Sequence, residues 1–181
     1  TDLTAGIGVG RADLIKAVFE AKTKLGGAAD PHMCYLLERG MRTLHARMPI
    51  HASNSSEIAR RLESHPAVVS VNHPSLPSFA DYDVAKRIAP NGTGMLSFAV
   101  KGGDESAMRF IRALEIIFEA TSLGGIESLV TCPFNTSHMF VPEDVRLEAG
   151  IVPGFVRLSV GIEDVEDLWS DIDQALKESQ S

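Results

Sequence analysis

Two stretches carry residue types that could do chemistry. Ser122-Leu123-Gly124-Gly125-Ile126-Glu127-Ser128-Leu129 sets a Gly-Gly turn between an apolar helix and a β-rich segment. Glycine has no Cβ, so its N–H and C=O can approach a ligand or another strand closely. Further on, Phe155-Val156-Arg157-Leu158-Ser159-Val160-Gly161 sets a lone arginine in a strand-like run. Together they predict a site for a small anion, with backbone to position it and a guanidinium to grip it. Other combinations carry less. Gly6, Gly8 and Gly10 look like a nucleotide loop, but the G-x-G-x-x-G pattern would need glycine at Arg11 or Asp13. Ser137 and His138 are neighbours in the chain, and adjacency alone does not create nucleophile–base geometry. Cys132 with His138, or His45 with His51, would ligate a metal only with partners that the sequence does not announce, so no metal site is expected. Glu127 reads as a structural partner rather than a general acid.

The elements that would position these residues follow from periodicity. Leu3 to Val9 is small, apolar and Gly-rich and is predicted as a buried strand, with Arg11-Ala12-Asp13-Leu14 opening a helix. Asp30-Pro31 is a helix start, an N-cap carboxylate before a proline in the first turn. Met33, Leu36, Leu37, Gly40, Met41, Leu44 and Met48 recur at helical spacing. Pro49 is expected to kink or interrupt that helix, and Ile58 and Leu62 continue its apolar face. Cys34 reads as a small buried hydrophobe. Val68–Val71 and Met95–Val100 are predicted strands, with a stiff Pro74–Pro77 loop, a helix around Tyr82–Ile88 and an Asn91-Gly92-Thr93-Gly94 turn between them. Ala107, Phe110, Ile111, Leu114, Ile117 and Phe118 share one helix face. Strands over Ile126–Thr131 and Phe155–Ile162 flank a short helix over Pro142–Leu147. Val165, Leu168, Trp169, Ile172, Ala175 and Leu176 line a last helix. Its acidic start (Glu163, Asp164, Glu166, Asp167) and Lys177 suit the helix dipole. Glu178 to Ser181 is expected to fray. The fold class is α/β: a small, mostly antiparallel sheet with helices on one face, plus a long linker helix.

Composition bounds the function. The 181 residues are 44% hydrophobic and carry a net charge of −7. That is enough for a core. An acidic chain without a basic cluster argues against nucleic acid and anionic membranes as partners. No apolar run reaches membrane-spanning length. The two cysteines, Cys34 and Cys132, form no metal or redox motif and suit a reducing cytoplasmic setting. The chain opens at Thr1 already reading as strand, and a longer sequence is expected before it.

Five motifs in order carry a resemblance. They are Thr1-Asp2-Leu3-Thr4-Ala5-Gly6, Leu36-Leu37-Glu38-Arg39-Gly40-Met41-Arg42-Thr43-Leu44 with Arg47-Met48, Gly94-Met95-Leu96-Ser97-Phe98, Ser122–Leu129, and Arg157-Leu158-Ser159-Val160-Gly161-Ile162-Glu163. Over its whole length the chain resembles the C-terminal part of the Cys/Met-metabolism family of pyridoxal-phosphate (PLP) enzymes, the cystathionine γ-synthase, cystathionine lyase and methionine γ-lyase type. The resemblance implies a fold-type I C-terminal domain. Residues 1–25 would be the remainder of the large PLP-binding domain, 26–64 the linker helix and 65–181 the substrate-binding domain.

It also implies chemistry on amino acids, with PLP held as a Schiff base on a lysine and acting as an electron sink. Arg157 would hold the substrate α-carboxylate, a planar fork taking it bidentately where a lysine cannot. Thr121, Ser122, Leu123 and Ser137 would complete the substrate-binding set. Thr121 falls where family members vary with substrate, and the γ-specific enzymes tend to carry an acidic residue there. Cys132, Phe79 and Ser137 depart from common family residues, as in a divergent branch. The family's S-x-T-K lysine would lie before Thr1, so no catalytic residue is expected in this chain and its cofactor-binding residues are unknown. The implied partners are an N-terminal portion carrying that lysine, other subunits in a tetramer-like assembly, and a small amino-acid substrate. The other reading is a non-catalytic α/β assembly or amino-acid-binding module.

Overall fold

A helix begins at Ala12, as the run Arg11–Leu14 predicts, and ends at Leu25, where Gly26 turns left-handed at φ 77°. The computed structural model describes residues 3–90 and 92–181. Thr1 and Asp2 of the first motif, and Asn91 of the predicted Asn91–Gly94 turn, lie outside them. The chain forms two compact units, one ending at His45 and the other Ala46–Ser181.

In the first unit α1 (Ala12–Leu25) is followed by α2 (Pro31–Met41). Asp30 caps α2 as expected: its carboxylate accepts from the N–H groups of His32 at 2.9 Å and Met33 at 3.1 Å. These are donors that a helix start leaves without intrahelical partners. No side chain of α1 or α2 is buried, and Leu14, Val18, Phe19, Tyr35 and Met41 are exposed. Cys34 is therefore exposed, not the buried hydrophobe expected. The predicted strand over Leu3 to Val9 is also absent. That segment is irregular and mostly exposed, because it has no ladder partner among the described residues, and a lone strand leaves its backbone groups unpaired.

The predicted interruption at Pro49 is displaced. The break falls at Arg42-Thr43, and α3 (Leu44–Glu63) runs through Pro49. A proline so near a helix start removes only one intrahelical hydrogen bond, and the buried Ile58, Ala59 and Leu62 hold the rest of the helix.

In the second unit a five-stranded sheet runs in the order β1-β2-β5-β4-β3, with β1 (Val68–Asn72), β2 (Met95–Val100), β3 (Phe118–Glu119), β4 (Leu129–Thr131) and β5 (Phe155–Ser159). β1/β2, β2/β5 and β4/β5 are antiparallel, and β3/β4 is parallel, so the sheet is mixed. Between and after the strands lie α4 (Tyr82–Ile88), α5 (Gly103–Ala113), α6 (Glu143–Glu148) and α7 (Val165–Glu178). Strand alternation separates two faces. Leu96, Phe98, Val156 and Leu158 face inward, in one buried cluster with Ile58 and Leu62 of α3, Phe110 and Ile111 of α5, and Leu168 and Ile172 of α7. Phe98 and Phe110 meet edge to face at 5.6 Å.

Three further departures have local causes. Ile117 and Phe118 were expected on the α5 face, but α5 stops at Ala113 and Phe118 begins β3. The Asp171 carboxylate of α7 accepts the N–H groups of Glu115, Ile116 and Ile117 at 2.8–3.1 Å, which draws these donors out of the helix. Ser179 and Gln180 do not fray. Ser179 is fully buried, its carbonyl accepts two Arg109 donors, and the Gln180 amide donates to the Lys101 carbonyl. The strands expected to begin at Ile126 and to end at Ile162 are shorter, because those residues bond to each other outside the ladder: Ile162 N–H donates to the Ile126 carbonyl at 2.9 Å.

Candidate functional site

Arg157 stands in the middle of β5, in register with Ser97 on β2 and Thr131 on β4. Its strand neighbours Val156 and Leu158 face the helices, so alternation turns Arg157 to the other side of the sheet. There its Nη2 donates to the carbonyl of Thr121 at 2.8 Å and that of Ser122 at 2.9 Å. The structure thus brings together Thr121, Ser122 and Arg157. One feature was not legible in the sequence: the first partners of the guanidinium are the carbonyls of the turn.

Arg157 Nε is buried and has no hydrogen-bond partner among the described residues. Burial pushes the guanidinium pKa below its ordinary value, yet arginine remains a cation at neutral pH. A buried donor without an acceptor costs about 1–3 kcal/mol. An anionic oxygen is the group that such a donor favours.

The rest of the turn is built by backbone. Gly124 adopts φ 75°, the left-handed region that glycine enters without strain, and its N–H donates to Ser159 Oγ at 3.0 Å. Leu123 is half exposed beside it, at 51%. Ser137 lies elsewhere, on the loop after β4, where its hydroxyl and His138 Nδ1 are 2.8 Å apart. That loop is tied to the Arg157 row, since Thr136 Oγ1 lies 3.1 Å from Thr131 Oγ1 and donates to the Cys132 carbonyl at 2.8 Å. Cys132 itself is buried, and burial, with the Asp104 and Glu119 carboxylates behind it, pushes its thiol up to about 12. That thiol is no nucleophile at neutral pH.

Sequence reasoning missed three residues around the turn. Ser128 donates to the Glu163 carboxylate from its N–H at 2.6 Å and its hydroxyl at 2.9 Å, and Ser159 holds Gly124. The signal was present: Ser159, Gly161 and Glu163 follow Arg157 at alternate positions. Among the described residues no group of three or more His, Cys, Asp or Glu side chains could hold a metal ion, and no helix is long and apolar enough to cross a membrane.

Residues 1–177 match a family of pyridoxal-phosphate enzymes. The chain belongs to that family, the Cys/Met metabolism PLP-dependent enzymes. L-methionine gamma-lyase of Pseudomonas deceptionensis is 42% identical over 179 residues, 98% of this chain and 45% of that protein. Cystathionine gamma-lyase of Macaca fascicularis is 44% identical over 156 residues, 86% of this chain and 38% of its own length. The chloroplastic cystathionine gamma-synthase 1 of Arabidopsis thaliana is 39% identical over 176 residues, 97% of this chain and 31% of its own. The chain therefore spans less than half the length of these curated relatives.

The fit to the cofactor is one-sided. A Schiff-base lysine needs a desolvated or cationic setting to lower its pKa. Lys16, Lys22, Lys24, Lys86, Lys101 and Lys177 are all exposed. The residues present offer a donor suited to an anionic oxygen, and none of these exposed lysines has the setting that the cofactor's anchor needs.

Proposed function

We propose that this chain is the C-terminal portion of a PLP-dependent enzyme acting on sulfur-containing amino acids, by C–S bond elimination or γ-replacement. Its share of the work is substrate binding. The buried, unpartnered Nε of Arg157 beside the Thr121–Gly124 turn carries this reading. The α-carboxylate of the amino acid takes the donors on Nε and Nη1, while Nη2 keeps the guanidinium on the turn. Thr121 and Ser122 orient it through their carbonyls, Leu123 closes the apolar side of the site, and Ser137 contributes from the separate loop after β4, which Thr136 ties to Thr131. Bound PLP supplies the electron sink for the bond cleavage. It is held mainly by an N-terminal portion that carries the Schiff-base lysine, and the chain alone is inactive. A tetramer-like assembly in the cytoplasm fits the apolar side chains left exposed on α1 and α2.

The experiment is reconstitution. Added PLP gives no lysine-bound absorbance band with the chain alone. Adding a lysine-bearing N-terminal portion gives the band and release of a sulfur product from L-methionine or L-cystathionine. A band with the chain alone, or a reconstituted complex that binds PLP and turns over neither amino acid, contradicts the proposal.

A further inference from the structure

One run of chain, Arg157 to Glu163, holds the loop from Thr121 to Ser128 at successive points. Arg157 holds the carbonyls of Thr121 and Ser122. Ser159, 1% exposed, accepts the Gly124 N–H at 3.0 Å. Ile162 N–H donates to the Ile126 carbonyl at 2.9 Å. The Glu163 carboxylate accepts both Ser128 donors, and the Ser128 hydroxyl in turn accepts the Gly161 N–H at 2.8 Å. Gly161 admits no side chain, because a Cβ there would meet the Ile126 carbonyl and the Glu163 carboxylate. The run is itself braced by α3. His51 Nδ1 lies 2.7 Å from the Val160 carbonyl, and Asn54 Nδ2 donates to the carbonyls of Gly161 at 3.3 Å and Glu163 at 2.8 Å.

We infer that Ser159 and the Ser128–Glu163 pair are positioning residues for the carboxylate site. They fix the Thr121 and Ser122 carbonyls from the far side of the turn, and those carbonyls set the plane of the Arg157 guanidinium. A guanidinium is planar and rigid, so the partners of Nη2 decide where Nε and Nη1 point. If the loop loses its ties at Gly124 or Ser128, its carbonyls shift and the fork turns with them. Misplacement by about 1 Å can cost about a hundredfold where geometry sets function. This inference rests on the reading of Arg157 as the carboxylate ligand.

The test separates the two claims. The chain is titrated by NMR with L-methionine and with L-methioninamide, which lacks the carboxylate, and the ratio of the two affinities is the readout. Hydrogen exchange of the Gly124 and Ser128 amides is followed in the same samples. Ser159→Ala and Glu163→Ala are expected to speed exchange at Gly124 and Ser128 respectively. Each should lower the preference for L-methionine about tenfold. Ser159→Thr and Glu163→Gln, which keep an acceptor, should recover most of it, and they carry the test if an alanine variant fails to fold. Faster exchange with an unchanged preference, or no recovery by the conservative variants, overturns the inference and leaves the Arg157 reading standing. A parent chain without preference for L-methionine, unaffected by Arg157→Lys, overturns the Arg157 reading and this inference with it.

Discussion

Replacing Arg157 by lysine keeps the positive charge and removes the fork. Lysine presents a point charge on a flexible stem and cannot hold two turn carbonyls and a carboxylate in one plane. A hydrogen bond to a charged group is worth about 1.5–3 kcal/mol. Arg157→Lys should therefore raise the dissociation constant for the amino-acid substrate about 10- to 100-fold, with a urea midpoint close to that of the parent. Titration and denaturation of the same two samples check it, and equal affinities would remove Arg157 from the site. At this scale the sequence was partly readable. A lone arginine in an apolar strand and a Gly-Gly turn mark themselves by type. What occupies the guanidinium does not, because backbone carbonyls leave no trace in residue identity. Ser159 and Glu163 left a fainter mark, their alternate spacing after Arg157, which gains meaning only once the end of β5 and the residues after it lie opposite the loop.

The elements that carry these residues depend on a few buried polar ties. Asp171 decides where α5 ends, because its carboxylate gathers the backbone donors of Glu115, Ile116 and Ile117. Asp171→Ala leaves them without that acceptor and should cost about 3 kcal/mol of stability. Asp171→Asn, which keeps one acceptor oxygen, should cost less. Urea denaturation of both variants checks the order. On α3, the Arg60 guanidinium first, with Arg61 beside it, holds the Glu57 carboxyl down to about 2 from an ordinary 4.5. Arg61 also reaches Glu166 on α7 at 2.5 Å. A depressed carboxyl adds stability above its unfolded value, and that stability is lost as pH falls through the folded value. The gap in urea midpoint between parent and Glu57→Gln should be present at pH 6 and close between about pH 4.5 and 2. A gap independent of pH would show that the carboxylate acts by packing alone. Helix starts such as Asp30-Pro31 and the inner stripe of α7 were legible because cap chemistry and periodicity are local. Ile117-Phe118 was misread because a carboxylate more than fifty residues away overrides a helical pattern. Leu3 to Val9 was misread because strand-like composition cannot supply a partner strand.

For the whole molecule, family membership rests on a match along nearly the full chain, and the order of five short motifs made it readable in advance. The division of labour proposed above rests on what the chain holds: an arginine on a backbone turn with one buried donor left over, and lysines that are all exposed. The most direct test of the central claim reads the guanidinium itself. The Nε–H resonance of Arg157 is followed by 15N NMR while L-methionine, and separately L-methioninamide, is added to the chain. A saturable downfield shift with the acid and none with the amide is the predicted result. A resonance that stays still, or moves equally with both, would contradict the account.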